Sequence, residues 1–120
     1  MIYNFSLIIS IYNKIKTSDL IESLKSIGNQ SLKPNEVIIV LDGYCNINLI
    51  YNLKKYLNLY YKNNYIIISN KKNMGIPYSY NRAIKLTKNH LVAISDADDT
   101  SYFNRFKYQV KFLLRNRKIG

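Results

Sequence analysis

Three carboxylates stand close together in the second half of the chain. Asp96, Asp98 and Asp99 directly follow the apolar segment 91–95, which has the composition of a fully buried β-strand. Carboxylates this close repel one another, so they either raise a pKa or share a divalent cation, and oxygen ligands suit Mg²⁺ or Mn²⁺. A helix cap formed by Asp98, Asp99 and Thr100 is the alternative, but one cap needs only one acid. The metal site is therefore the favoured interpretation.

Two earlier strand-like runs also end in polar residues. The first ends at Ser10 to Asn13, and the second ends at the pair Asp42-Gly43. Ligands of open α/β sheets bind outside the carboxyl ends of the strands, so these residues and the acidic turn are expected to line one crevice. A carboxylate at Asp42 suits a ribose or a base edge. Its alternative role is that of an ordinary turn residue before glycine.

These chemical groups need a frame, and the alternation of apolar patterns supplies one. Strand-like runs alternate four times with stripes at helical spacing, which predicts an α/β domain with a doubly wound, mainly parallel, four-stranded Rossmann-like sheet and helices on both faces. The last helix is predicted to turn Phe103, Phe106, Val110, Leu113 and Leu114 inward. The predicted strands cover about 5–12, 36–41, 65–69 and 91–95, and the predicted helices cover about 17–28, 48–62, 77–87 and 102–116.

Composition sets the class of protein. With 120 residues, 48% of them hydrophobic, the chain predicts one globular domain. No run reaches the roughly 18 apolar residues of a membrane span, and the amino terminus lacks a signal-like pattern, so a cytoplasmic location is expected. The single cysteine, Cys45, cannot form an internal disulfide, which agrees with a reducing compartment.

The formal net charge of +11 would attract polyanions. The basic residues are spread along the chain and make no single helix basic along one face, so no specific nucleic acid is predicted as a partner. The denser basic stretch from Lys107 to Lys118 leaves a peripheral contact with anionic lipid, at the inner face of the membrane, as an alternative.

Several short motifs occur in a fixed order along this frame. They are Tyr12-Asn13 after the first strand, Asp42-Gly43 after the second, Asn73-Met74-Gly75 in a loop, Asp96-Ala97-Asp98 after the fourth strand, and Arg105-Phe106. In this order and at these places they resemble the motifs of family 2 glycosyltransferases, enzymes of the GT-A fold that move a sugar from a nucleotide donor. The resemblance runs from about Phe5 to Leu114.

The resemblance implies a site for a nucleoside-diphosphate sugar and a divalent metal, and an activity in the synthesis of surface polysaccharide or glycan. Tyr12 and Asp42 would contact the nucleotide base, and Asp98 would hold the Mn²⁺ or Mg²⁺ that bridges the diphosphate. Arg82 and Arg105 receive no role. The implied residues are Ser10, Tyr12, Asp42 and Asp96 for the nucleotide, and Asp98, Asp96 and Asp99 for the metal.

Members of this family continue well past this length into an acceptor-binding half that supplies the general base. The resemblance therefore implies that residues 1–120 form a single nucleotide-sugar-binding domain, truncated before the acceptor half and without a catalytic residue of its own. A partner chain that supplies the acceptor half is one expectation. A non-catalytic nucleotide-sugar-binding module, or a truncated relic, is the alternative function.

The acidic turn also fits a second enzyme class. Asp96 to Thr100 matches the Asp-x-Asp-x-Thr loop of haloacid dehalogenase-type phosphatases. That loop ends the first strand of its domain and needs a Lys and further acids on later strands, but only twenty residues follow Thr100. The position of the motif therefore disfavours the phosphatase.

Overall fold

The computed structural model describes residues 4–116, in which strands and helices alternate strictly along the chain. Each strand is rich in β-branched and other apolar residues, which fit a pleated and largely covered surface. The strands are β1 (Ser6–Ile11), β2 (Glu36–Asp42), β3 (Tyr65–Asn70) and β4 (Val92–Asp96).

Local signals set where the helices begin. The Asn46 side chain accepts a 2.8 Å hydrogen bond from the Leu49 backbone N–H and so caps the second helix. Pro77 lies in the first turn of the third helix, where its missing N–H costs nothing. The helices are α1 (Thr17–Gly28), α2 (Ile47–Tyr61), α3 (Ile76–Ile84) and α4 (Arg105–Arg115).

The four strands form one sheet in the order β3-β2-β1-β4, and every neighbouring pair is parallel. The central strand β1 pairs with both β2 and β4, so Ser10 lies opposite Val40 on one side and Asp96 on the other. The predicted doubly wound parallel sheet is confirmed. This strand order brings the carboxyl ends of β1, β2 and β4 side by side.

Helices cover both faces of the sheet because successive side chains of a strand point to opposite sides. Leu7 and Ile9 of β1 pack in the larger core cluster together with apolar residues of α1, α2 and α4. Ile8, between them in the sequence, packs instead with Ala83 of α3 in a second cluster. Three helices therefore lie on one face and α3 lies on the other.

Two of the packing predictions are wrong. Strand β4 is not fully buried, since Ile94 is 40% exposed and no strand within residues 4–116 pairs with its outer edge. Phe103 does not face inward but is 65% exposed, because α4 begins only at Arg105 and Phe103 precedes it. Beside the open edge, β4 and α4 form an almost wholly apolar groove of about 490 Å³.

The structure also bears on membrane insertion. Within residues 4–116, none of the helices has both the length and the apolar composition that crossing a membrane requires.

Candidate functional site

A cavity of about 400 Å³ opens at the carboxyl edge of the sheet, where β1, β2 and β4 end. Its volume lies in the range typical of small-molecule sites. Five of the six predicted site residues line it, namely Ser10, Tyr12, Asp42, Asp96 and Asp98. The remaining lining residues are Ile15, Asn73, Gly75, Ile76, Tyr80 and Ala97.

The sixth predicted residue, Asp99, does not line this cavity. It lines a neighbouring cavity with Thr100 and Arg105, and Asp96 forms part of the wall of both cavities. The acidic turn therefore separates two small spaces and does not gather its three carboxylates around one point.

Asp42 ends β2 as a buried carboxylate that the protein itself satisfies. Its Oδ1 accepts hydrogen bonds from the Met74 backbone N–H at 2.7 Å and from Asn70 Nδ2 at 2.9 Å. Its Oδ2 accepts one from the Gly75 backbone N–H at 3.0 Å. The side chain is only 5% exposed. Asp42 thus fastens the loop before α3 to the end of β2, and Oδ2, with a single partner, keeps capacity for one more donor.

Gly43 makes this fastening possible. Its φ of +89° is a backbone conformation that favours glycine, and a Cβ atom at this position would lie 2.8 Å from the backbone nitrogen of Asn73. The Asp-Gly pair is therefore more than a turn signal, because the aspartate binds the loop and the glycine lets the loop approach.

A polar network continues from Asp42 to Arg82. Asn70 Nδ2 also donates to Ser79 Oγ at 2.9 Å, and Arg82 Nη1 donates to Asn70 Oδ1 at 2.9 Å and to the Ser69 carbonyl at 2.6 Å. Arg82 lines a cavity beyond Ser69 and Asn70 and does not line the one that holds Tyr12 and Asp98. It supports the end of β3.

The two residues of the Tyr12-Asn13 pair have different roles, one toward the cavity and one in the fold. Asn13 Oδ1 accepts a 2.8 Å hydrogen bond from the backbone N–H of Asn46, the cap of α2. The neighbouring ring of Tyr12 is 46% exposed and faces the cavity. Asn13 therefore anchors the end of β1, and Tyr12 is available to a ligand.

The acidic turn is not a helix cap. Helix α4 begins at Arg105, and the residue that precedes it is Asn104, whose side chain makes no capping hydrogen bond. Asp98, Asp99 and Thr100 therefore lie too far before the helix to cap it. Asp96, Asp98 and Asp99 are all exposed. The turn is closed by a 3.2 Å hydrogen bond from the Asp99 backbone N–H to the Asp96 carbonyl. The capping alternative is wrong, and the carboxylates remain available to a cation.

The charges of the turn act on one another. Desolvation and then the Asp96 and Asp98 carboxylates raise the pKa of Asp99, and Arg105 offsets part of this effect. Burial, followed by the charge of Asp96 and a hydrogen bond to it, raises the pKa of Tyr80 above its ordinary value. Burial lowers the pKa of Arg105, whereas Asp99 and Asp96 oppose that change. The carboxylates of the turn therefore repel one another, and Arg105 offsets part of this repulsion at Asp99.

The side chains of this region meet the requirements of a divalent cation only in part. Within residues 4–116, no group of three or more His, Cys, Asp or Glu side chains is arranged so that it could hold a metal ion. Mg²⁺, however, is usually held by one or two carboxylates together with substrate phosphates and water. Asp96 and Asp98, which line the same cavity, fit that pattern.

Two residues that order this region were not assigned a role from the sequence. Arg105 connects β4 to the loop that comes after it, and the 4% exposed Gln30 connects the end of α1 to the start of α4. Arg105 had one signal, its place beside Phe106 after the acidic turn. Gln30 had none, because a single glutamine after a helix does not reveal a partner 76 residues away.

Comparisons with known proteins address the family of the chain. The family model described as glycosyl transferase family 2 matches residues 6–120. The chain is 30% identical over 109 residues to the amylovoran biosynthesis glycosyltransferase AmsE of Erwinia amylovora, covering 91% of this chain and 40% of that protein. It is 32% identical over 118 residues to the UDP-Gal:alpha-D-GlcNAc-diphosphoundecaprenol beta-1,3-galactosyltransferase of Escherichia coli, covering 96% and 41%.

Solved structures share the fold. S. aureus TarS superposes with a TM-score of 0.76 at 27% identity, covering 96% of this chain and 20% of that one. TarS 1–349 in complex with UDP-GlcNAc gives a TM-score of 0.74 at 26% identity, with coverages of 94% and 32%. The mannosyltransferase PcManGT of Pyrobaculum calidifontis, solved with GDP-Man and Mn²⁺, gives 0.78 at 19% identity, with coverages of 91% and 32%.

These matches also define what the chain covers. It spans about two fifths of the length of these two curated relatives, 40% for AmsE and 41% for the galactosyltransferase. The matched region includes every strand and helix and every residue of the cavity. The chain therefore belongs to glycosyltransferase family 2.

Proposed function

We propose that the chain binds a nucleoside-diphosphate sugar together with Mn²⁺ or Mg²⁺, for sugar transfer in the synthesis of surface polysaccharide or glycan. The observation that carries the proposal is the cavity whose wall the exposed Asp96 and Asp98 share with Tyr12 and Ser10. The relatives named for amylovoran synthesis and for galactosyl transfer, and the TarS complex with UDP-GlcNAc, support this donor class.

The metal would be shared between protein and donor. Asp98, with Asp96 beside it, would hold the ion, and the diphosphate would supply the remaining anionic ligands. Held there, such an ion would supply electrostatic stabilisation for the charge on the leaving diphosphate. Asp99 stays a further predicted ligand, although it faces the neighbouring cavity.

The base side of the site would be formed by Tyr12 and Asp42. The exposed Tyr12 ring offers a face or a hydroxyl to the base, and Ser10 offers a hydroxyl near the end of β1. Asp42 would contact the donor only through Oδ2, since Oδ1 already accepts two hydrogen bonds. The main contribution of Asp42 is therefore to hold the Asn73 to Gly75 wall of the cavity.

Transfer itself requires an acceptor site and a base that are not assigned to this chain. Leaving-group stabilisation by the metal is separable from activation of the acceptor hydroxyl. We propose that the 120-residue chain tested alone shows at most slow donor hydrolysis, and that transfer appears when a longer gene product or a partner chain supplies the acceptor half. A non-catalytic nucleotide-sugar-binding module remains the alternative function, with the same donor site.

A peripheral position at the inner face of the cytoplasmic membrane is also proposed. Tyr102 is 89% exposed and Tyr108 is 65% exposed, and the exposed Lys107 stands between them in the sequence. Exposed aromatic and cationic side chains in one short segment suit a membrane interface. The end of the predicted basic stretch, Arg117 and Lys118, lies outside the described residues.

Calorimetry tests the donor proposal. UDP-GlcNAc and GDP-mannose are each titrated into the chain with MnCl₂ and again with excess EDTA. At least one of the two donors should bind with MnCl₂, and neither should bind in EDTA. Asp98→Asn should weaken that binding roughly tenfold or more, because a charged ligand to the ion is lost. Glu22→Gln, an exposed acid on α1, is the matched control and should bind as the native chain does. Equal affinity in EDTA, or an unchanged affinity in Asp98→Asn, would contradict the metal bridge.

A further inference from the structure

Arg105 joins the two ends of the acidic turn through one guanidinium group. Nη2 donates a 2.7 Å hydrogen bond to the Ile94 carbonyl, and Nη1 donates to Ser95 Oγ, so the side chain is bound to β4 just before the turn. Nη1 also donates to Ser101 Oγ at 3.0 Å, just after the turn. The chain between Ser95 and Ser101 is thus closed on both sides by the same side chain.

The far side of this closure is itself fixed to α1. The Ser101 backbone N–H donates to Ser26 Oγ at 3.0 Å, and the Ser31 backbone N–H donates to the Phe103 carbonyl at 2.9 Å. Gln30 Oε1 accepts a 3.2 Å hydrogen bond from the Phe106 backbone N–H. Arg105 therefore connects the turn, through Ser101, to α1.

The charge of Arg105 acts at the same place. Its guanidinium lies 4.8 Å from the centre of the Phe106 ring, which limits where the group can move. The carboxylates of Asp96 and Asp99 are close enough to act on its pKa. The planar guanidinium has several donors in fixed directions, so it can bond to the strand and to the loop while its charge acts on the acids. A lysine would offer only one point charge.

We infer that Arg105 is a positioning residue that holds the Asp96 to Asp99 turn in the geometry required for the metal and the donor diphosphate. The link to the metal and the diphosphate rests on the proposed function. The role of Arg105 in holding the turn does not. Arg105 lines the cavity beside Asp99 and does not line the one that holds Asp98. It acts on the ion through the turn and makes no contact in the proposed donor space.

Two measurements on the 120-residue chain test this role. The first is amide hydrogen exchange, in which Arg105→Met should speed exchange at the Asp99 N–H about tenfold, because the closure that maintains its hydrogen bond to Asp96 is lost. The second is calorimetry with UDP plus MnCl₂ and with GDP plus MnCl₂. The nucleotide that binds should lose affinity about tenfold or more, as is typical when the support of a metal ligand is removed.

Two milder variants separate positioning from folding. Arg105→Lys keeps the charge but not the fork, and Ser101→Ala removes one of the hydrogen bonds. Both should remain folded and lie between the native chain and Arg105→Met in exchange rate and in affinity. Arg115→Met, which removes an exposed arginine from the last turn of α4, should change neither quantity.

The outcomes distinguish the two proposals. If the native chain binds neither nucleotide with MnCl₂, the proposed function fails, and the exchange rates alone decide whether Arg105 holds the turn. Native exchange at Asp99 in Arg105→Met would overturn the positioning role. Native Mn²⁺-dependent affinity in all three variants, Arg105→Met, Arg105→Lys and Ser101→Ala, would overturn the link to the metal.

Discussion

Two strands of this sheet end in aspartate, and the protein uses the two ends differently. After β2, Asp42 is buried and accepts three hydrogen bonds, two from the loop before α3 and one from Asn70. After β4, Asp96 and Asp98 are exposed at the same edge of the sheet. The hydrogen bonds of Asp42 therefore hold the structure of the site, whereas the carboxylates of Asp96 and Asp98 remain available to a ligand.

The difference arises from the loops that pack at each strand end. Gly43 permits the backbone of Lys72 and Asn73 to pack against the end of β2, so the backbone N–H groups of Met74 and Gly75 converge on Asp42. Strand β4 lies at the edge of the sheet, and the side chain of Arg105 holds its turn at both ends without covering the carboxylates of Asp96 and Asp98. An acid at a strand end is therefore structural where another loop covers it and available where none does.

The largest expected effect is on folding and comes from Asp42→Ala. This change leaves two backbone N–H groups and the Asn70 amide without their acceptor, and each unsatisfied buried donor costs about 1 to 3 kcal/mol. Because water can reach part of the loop, we expect the free energy of unfolding to fall by roughly 3 kcal/mol in urea titrations.

Asp98→Ala is the counterpart at the other strand end. We expect its free energy of unfolding, without metal, to stay within about 0.5 kcal/mol of the native value, as for other exposed positions. If both alanine variants were equally unstable, the contrast between a structural and an available carboxylate would not hold.

An intermediate effect is expected from the two glycines with positive φ. Gly43 (φ +89°) and Gly75 (φ +90°) carry similar backbone strain when substituted, but only at Gly43 would a new Cβ meet backbone atoms, with the Asn73 nitrogen at 2.8 Å. We expect Gly75→Ala to cost about 1 kcal/mol and Gly43→Ala to cost about 2 kcal/mol in thermal or urea unfolding. Equal costs would show that the close approach of the loop contributes nothing.

Most of the fold could be predicted because strands and helices leave different periodic patterns in the sequence. Every residue of β2 is buried, as its continuous apolar run indicates. The exposure of β4 could not be predicted, because an apolar run does not reveal whether another strand will lie beside it. The exposed Phe103 was missed for a related reason, since the start of α4 at Arg105 carries no capping side chain to mark it.

The candidate site could be predicted as a set, but not in its internal bonding. Parallel strands end at one edge, so Ser10, Asp42 and Asp96 had to be close together once the topology was known. The partners of Asp42 lie 28 to 33 positions further along the chain, and no local pattern announces them. The same holds for Gln30, whose partners at the start of α4 and just before it lie more than 70 positions away.

The smallest effect is a dependence on pH at the Asp42 end of the site. Burial, and then the charge of Asp42, raises the pKa of the Cys45 thiol above its ordinary value of 9.0. The folded state therefore prefers the neutral thiol. The stability that this preference contributes is fully present below the ordinary pKa of cysteine and is lost as the pH rises through the raised value in the folded protein.

Urea unfolding at several pH values between about 7 and 10 checks this dependence. The native chain should lose stability toward the alkaline end, by less than Gly75→Ala costs, and Cys45→Ala should lose less over the same range because it has no thiol to ionise. Tyr61, whose pKa is raised chiefly by burial, remains in both proteins and cancels in the comparison. Parallel pH profiles for the two proteins would show that neither burial nor the carboxylate of Asp42 raises the pKa of the Cys45 thiol, and would contradict the description of the β2 end as closed to water.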